Sequence, residues 1–185
     1  GAVAAMNALN GPFKSVGVKF IPTGGVNNDN LSEYASQPFI HAIGGGWLCK
    51  TADIVNHNFG AITEVVKRAI DILLGFEMAH VGINVDTADE SLQVCKQFES
   101  AFGFATKEGN SSNFASPGIE VMKSKFLGEM GHIAIKTNNI SRAVHYLAKR
   151  GFEVDMETAK YKGDSMVAVY LNDEFGGFAI HLLQK

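Results

Sequence analysis

Beyond residue 77, four side chains carry the chemistry of a metal site: His80, Glu120, His132 and His181. Each lies in a run where aliphatic residues alternate with other types. In AHVGINV, Val81, Ile83 and Val85 share one face of a strand, and His80, Gly82 and Asn84 share the other. GHIAIKT repeats the split, with Ile133 and Ile135 opposite His132 and Ala134, and in GFAIHLLQK Phe178, Ile180 and Leu182 oppose His181. Glu120 likewise opposes Ile119 and Val121. If the aliphatic face lies under helices, all four polar side chains point to the opposite, concave face of one sheet. Three imidazoles and one carboxylate there suit a divalent transition metal such as zinc, nickel, manganese, iron(II) or cobalt. An open coordination position would polarise a substrate oxygen. Taken singly, a strand histidine is more often structural than a ligand, so the expectation rests on the joint placement. His145, His41 and His57 fall outside the pattern and are expected to be ordinary residues.

The elements that must position these groups repeat once. The strand around His80 is followed by a helix over Glu90 to Phe102, closed by Gly103, and by short strands ending in GIEVMKS. The strand around His132 is followed by a helix over Ile140 to Arg150, closed by Gly151, and by strands ending in GFAIHLLQK. Two βαβββ units over residues 78–185 are the simplest account.

Residues 1–76 have a different rhythm. The expected elements are a helical run Ala2 to Leu9, a strand Val16 to Ile21 ending at Thr23-Gly24-Gly25, and a short helix Asn30 to Ala35. A strand Phe39 to Ile43 ending at Gly44-Gly45-Gly46 follows, and then a helix Phe59 to Leu74. Strands that repeatedly feed helices indicate parallel α/β structure.

Two resemblances sharpen this outline. Residues 78–185 resemble the vicinal-oxygen-chelate (glyoxalase-like) superfamily, an α+β fold of paired βαβββ units whose metal ligands come from the first and last strands of each unit. His80, Glu120, His132 and His181 occupy those positions. His181 replaces the commoner glutamate at the last one, and that carboxylate often serves as a base in glyoxalase-type and epimerase-type mechanisms. The runs GAVAAMNALNGPF, VKFIPTGGVNNDNLSEYAS and HAIGGGWL resemble the C-terminal part of 2-keto-3-deoxy-6-phosphogluconate / 4-hydroxy-2-oxoglutarate aldolase. That family is a (β/α)8 barrel that cleaves 2-keto-4-hydroxy acids to pyruvate and an aldehyde through a Schiff-base lysine, with no metal or other cofactor.

The second resemblance implies that residues 1–76 are the last strands of such an α/β barrel, and that Thr23, Gly24, Gly25, Gly44, Gly45 and Gly46 are its phosphate loops. Backbone amides approach an anion closely where no Cβ intervenes. Gly46 stands where the family commonly has a serine. The Schiff-base lysine lies on the family's sixth strand, with no counterpart here, and Lys19 is expected to be an ordinary strand residue. The catalytic residues are therefore unknown. The chain is expected to be the C-terminal portion of a longer fusion, an aldolase barrel followed by a chelate-type domain, and inactive as an aldolase alone. Phosphorylated keto acid and pyruvate are the implied small-molecule partners, and a homo-oligomer is expected. A free-standing metal-dependent glyoxalase or epimerase, and a non-catalytic ligand-binding module, remain open alternatives.

Composition narrows the field. The net charge of −3, with both signs interspersed, leaves no basic face for nucleic acid. No run is long and apolar enough to span a membrane, and GAVAAMNALNGPF has no signal-peptide pattern. Cys49 and Cys95 lie in no metal or disulfide spacing, which fits a cytoplasmic protein. The absence of an initiator Met fits a tag scar or a start inside a longer product.

Overall fold

The computed structural model describes residues 2–185 and divides into two compact units, Gly1–Phe76 with Lys185, and Glu77–Gln184. In the first unit the helices are α1 (Ala2–Phe13), α2 (Leu31–Ala35), α3 (Thr51–Val55) and α4 (Phe59–Leu74). α1 runs four residues past Leu9, with Gly11-Pro12 in its last turn rather than breaking it. α4 buries its apolar stripe: Ala69 joins Val3, Val26, Leu31 and Tyr34 in the core, and Ile72 and Leu73 pack against them. Its end is fixed by Gly75, whose left-handed backbone (φ 59°) lets its N–H bond back to the Asp71 carbonyl.

The expected strands Val16 to Ile21 and Phe39 to Ile43 are a correction. Val16 belongs to a 3-10 turn, and the two runs meet at a single parallel bridge, Phe20 opposite Ile40. Among the described residues these two short runs have no further strand beside them, so they lack the ladder that makes a sheet persist, and extended propensity yields a bridge. The partial barrel expected from the resemblance is thus reduced here to helices around one bridge.

The second unit is a mixed eight-stranded sheet in the order β2-β3-β4-β1-β5-β8-β7-β6. Its first half is β1 (Glu77–Ile83), α5 (Ala88–Phe102), β2 (Thr106–Glu108), β3 (Ser112–Ala115) and β4 (Ile119–Met122). Its second half repeats the order: β5 (Gly131–Thr137), α6 (Ile140–Ala148), β6 (Val154–Lys162), β7 (Ser165–Phe175) and β8 (Phe178–Gln184). In each half the first strand pairs parallel with the last, and β1 and β5 join the halves antiparallel. Ile83, Val85, Ile119 and Val121 pack under α5 against Val94, Cys95 and Phe98. The aliphatic face of the sheet is therefore the helix face, and the histidine face is the other.

α5 starts where its sequence says it must. The Thr87 hydroxyl accepts from the Glu90 amide at 3.2 Å, while the Glu90 carboxylate accepts from the amides of Thr87 and Asp86. This reciprocal cap satisfies donors that a helix start leaves orphaned. Thr87→Ala is expected to lower stability by about 1 kcal/mol, read as a shift of the urea midpoint with unchanged slope.

Candidate metal centre

Register decides which side chains meet. Across β4, β1 and β5, Gly82 stands between Glu120 and His132; across β1, β5 and β8, Ala134 stands between His80 and His181. The two rows are related by the approximate two-fold axis of the paired units. The His132 ring leans over Gly82 of the opposite strand, where an added Cβ would lie 2.0 Å from His132 Cε1. The need for glycine here is one of space and not of backbone angle.

His80, Glu120 and His132 close into a triangle. His80 Nε2 is 3.1 Å from His132 Nε2, and both lie on Glu120 Oε2, at 3.0 and 3.2 Å. The ring nitrogens of His80, His132 and His181 that face one another all lie within 4.8 Å. Glu120 Oε1 is held by the hydroxyl of buried Ser112 at 2.5 Å, leaving Oε2 to the histidines.

Hydrogen bonds cannot satisfy this triangle. If both Nε2 atoms carry protons and donate to Glu120, two N–H groups confront each other; if one histidine donates to the other, a bare nitrogen lone pair faces the carboxylate. One edge stays repulsive in either tautomer. Two further nitrogens, His132 Nδ1 and His181 Nε2, are buried with no partner, an arrangement that costs free energy unless something else fills it. A cation would resolve the conflict. For ligand bonds of about 2.1 Å, neighbouring ligands stand about 3.0 Å apart at right angles and about 3.4 Å apart at the tetrahedral angle, which brackets the edges of this triangle.

The electrostatics suit the same occupant. Burial opposes ionisation of Glu120, but the hydrogen bonds from His132, His80 and Ser112 outweigh it and hold the carboxyl well below the usual carboxylate range. Burial, then the proximity of His132 and His80, pushes His181 down to about 3, so its imidazole is neutral at ordinary pH and offers a lone pair. A donor set of three imidazoles and the Glu120 carboxylate fits a divalent transition metal.

Aromatic rings wall the cluster symmetrically. Phe114 is the register partner of Glu120 and meets the His80 ring edge-on at 6.5 Å; Tyr170 is the partner of His181 and stacks on its ring at 4.6 Å. Phe126 leans on Tyr170 at 5.9 Å. Burial, then the negative charge of Glu120, raises the Tyr170 phenol to about 12. The sequence reading passed over Ser112, Phe114 and Tyr170. Strand alternation puts Tyr170 and Ala168 on one face of β7, and the pairing of Tyr170 with His181 makes that the histidine face.

In the first unit the glycine loops are neighbours. The Gly44 amide donates to the Pro22 carbonyl at 3.0 Å, and a Cβ at Gly44 would stand 3.7 Å from the Thr23 methyl. Thr23, Gly24 and Gly25 thus lie beside Gly44, Gly45 and Gly46, although the Gly44 amide is spent within the protein. Gly25 has a left-handed backbone (φ 71°), and Gly45 makes room for the Trp47 ring. Lys19 donates to the Pro38 carbonyl at 2.8 Å, in keeping with an ordinary surface lysine.

Residues 1–65 match the KDPG and KHG aldolase family model. Over this part the chain is 34% identical to the 2-dehydro-3-deoxy-phosphogluconate aldolase of Treponema pallidum across 73 residues, which is 40% of this chain and 34% of the relative. It is 37% identical to that of Pseudoalteromonas atlantica across 70 residues, 38% of this chain and 32% of the relative. It is 32% identical to the KHG/KDPG aldolase of Escherichia coli K12, again over 38% of this chain and 32% of the relative. The chain spans about a third of the length of the curated relatives it matches. Among solved structures, methylmalonyl-CoA epimerase from Mycobacterium tuberculosis is similar with a TM-score of 0.42 at 18% identity, covering 58% of this chain and 86% of that one. A selenomethionine methylmalonyl-CoA epimerase is similar at 0.41 and 18%, covering 58% and 93%.

Gly82→Ala is expected to destabilise the second unit by about 1–3 kcal/mol, because the new methyl must displace the His132 ring from a packed face. Urea denaturation of the two proteins compares them directly, and an unchanged midpoint would contradict the crowding described.

Proposed function

We propose that residues 77–184 are a metal-binding, glyoxalase-like domain of the vicinal-oxygen-chelate type, and that residues 1–76 are the C-terminal portion of a keto-acid aldolase barrel. In this reading the intact protein is an aldehyde-lyase that cleaves a phosphorylated 2-keto-4-hydroxy acid to pyruvate and an aldehyde. It carries the metal domain as a C-terminal fusion. The observation that carries the metal half is the triangle of His80, Glu120 and His132, which hydrogen bonding cannot satisfy, with the orphaned His181 Nε2 beside it. Those four residues would hold the ion, and zinc, nickel, manganese, iron(II) and cobalt all accept such ligands. When bound, it would supply Lewis acidity to a ligand oxygen. The residues themselves fix the site: Ser112 turns one carboxylate oxygen away, Gly82 and Ala134 admit the rings, and Phe114 and Tyr170 exclude water from the flanks. With an imidazole at position 181, the cluster has one carboxylate rather than two. That favours binding and polarising an oxygen over passing a proton between paired carboxylates.

The aldolase half is supported by the match over residues 1–65. It is also supported by the apolar side chains left open along the bridge segments: Val16, Val18 and Ile21 are 71%, 40% and 58% exposed, as strand residues stripped of barrel neighbours would be. The paired glycine loops at Thr23–Gly25 and Gly44–Gly46 would receive the substrate phosphate through backbone amides. Cytoplasmic residence and homo-oligomerisation belong to the same proposal; among the described residues, no helix is long and apolar enough to cross a membrane.

Two measurements test the halves separately. Cobalt(II) titrated into the metal-stripped chain is expected to bind at one equivalent, with His80→Ala and His132→Ala each weakening it by more than about 100-fold. A wild-type chain that takes up no transition metal sinks the metal reading. Pyruvate with borohydride is expected to leave the mass of the 185-residue chain unchanged, since the Schiff-base lysine is assigned to the missing part of the barrel; a trapped adduct would reverse that assignment.

A further inference from the structure

Of the four donors in the cluster, His181 is held least directly. Glu120 is braced by the Ser112 hydroxyl, and His80 and His132 both meet Glu120, whereas among the described residues no hydrogen bond reaches either ring nitrogen of His181. A ligating histidine is ordinarily oriented by a hydrogen bond from its second ring nitrogen, and the last torsion of an imidazole is otherwise loose. What confines the His181 ring is an aromatic face. Tyr170, its cross-strand partner, stacks on it at 4.6 Å with 25° between the planes. The Tyr170 ring is in turn met edge-on by Phe126 at 5.9 Å and by His132 at 6.3 Å.

The backbone beneath that stack is irregular on both sides. Asp155 and Lys160 of β6 pair with Tyr170 and Ala168, so Met156 through Ala159 stand opposite Val169 alone, and past Tyr170 the register of β7 with β8 shifts again before Glu174. Bulges of this kind interrupt the ladder and re-aim side chains. The interruption in β6 would leave the Tyr170 amide without a strand carbonyl, and a side chain takes that place. Thr158 Oγ1, carried on the bulge, accepts from the Tyr170 amide at 2.9 Å and donates to the Asp155 carbonyl at 2.6 Å. The Asp155 carboxylate holds the start of the bulge by accepting from the Glu157 amide at 2.9 Å. One hydroxyl thus ties the bulge to the residue that faces His181.

Resting on the metal reading above, we propose that Thr158 is a positioning residue of the metal centre: its hydroxyl fixes Tyr170, and the Tyr170 ring fixes the plane of the His181 imidazole. Thr158 brings no donor to the cluster, and β7 separates it from β8, so its influence on metal binding passes through one ligand, His181. A hydrogen bond that merely supported the sheet would act without regard to which ligands are present. That difference separates the two roles.

The test uses the full chain stripped of metal and titrated with cobalt(II), followed by calorimetry and by the visible bands of the ion, which report its coordination number and geometry. Thr158→Val keeps the shape of the side chain but removes the acceptor. It is expected to weaken cobalt(II) binding about tenfold and to move the spectrum toward that of His181→Ala, while Thr158→Ser restores both. Tyr170→Leu, which removes the stacked ring, is expected to act in the same direction. In a His181→Ala background, where His80, Glu120 and His132 remain, Thr158→Val is expected to have no further effect on affinity. Equal loss in both backgrounds would reduce Thr158 to a general support of the sheet and overturn the proposal. A Thr158→Val or Tyr170→Leu protein with wild-type affinity and spectrum would overturn it as well. A wild type that binds no cobalt(II) fails the underlying metal reading, and this inference falls with it.

Discussion

The constraint on which the second unit depends is steric, and it sits at the seam between its halves. β1 and β5 run antiparallel with Gly82 opposite His132 and Ala134 opposite His80. In a flat pairing of large residues, two imidazoles on one face would be held apart by their neighbours. Here the His132 ring fills the space that Gly82 leaves, and the His80 and His132 Nε2 atoms arrive 3.1 Å apart. The outer strands then contribute Glu120 beside Gly82 and His181 beside Ala134, so four donors gather from four strands with no loop involved. Donors carried on rigid, packed strands hold their geometry more tightly than donors on loops would.

That convergence sets polar groups together that hydrogen bonds alone do not satisfy. Buried polar groups normally come with partners, yet His132 Nδ1, His181 Nε2 and Asn113 Oδ1 have none, and the central triangle holds more acceptors and donors than any tautomer can match. Asn113 belongs to a separate network, in which its amide donates to Ser91 and Ser91 donates to the Val121 carbonyl beneath α5. Its unmatched oxygen lies on the helix side and says nothing about the cluster. The cluster is different: the facing nitrogens of His80, His132 and His181 lie within 4.8 Å of one another, and His80 and His132 share Glu120 Oε2, so its unsatisfied polar atoms are concentrated on one face of the sheet. The asymmetry of the set adds direction: Glu120 is braced by Ser112, whereas the equivalent flank of His181 carries Ala168 and the Tyr170 phenol.

Much of this was legible in the sequence because strands have a period of two. Alternation alone put His80, His132, Glu120 and His181 on one side of their strands and the aliphatics on the other, and the repeat of strand, helix and glycine stop fixed the pairing of the halves. What alternation cannot supply is register. Gly82 and Ala134 look like ordinary small residues until pairing sets them opposite the histidines, and Tyr170 and Ser112 act through His181 and Glu120 on neighbouring strands, contacts that become visible only once pairing is known. The first unit misled for the complementary reason. Val16 to Ile21 and Phe39 to Ile43 have strand composition, but a strand is defined by its neighbours, and here each finds only the other, at one bridge.

The two units therefore differ in what they can do unaided. The second contains every group its cluster needs, including the residues that brace and wall it. The first offers backbone amides at two adjacent glycine loops, one of them already committed to Pro22, and its only lysine on the bridge segments is engaged with the Pro38 carbonyl. Anion binding by amides orients a substrate but breaks no carbon–carbon bond; a Schiff-base reaction needs an amine whose proton is removed by a buried, charge-tuned pocket. Lys19 is exposed, and the apolar faces of Val16, Val18 and Ile21 stand open where a pocket would require them covered. The glycine loops thus bring no group that could break a bond, whereas the histidine cluster gathers all of its donor side chains within one unit.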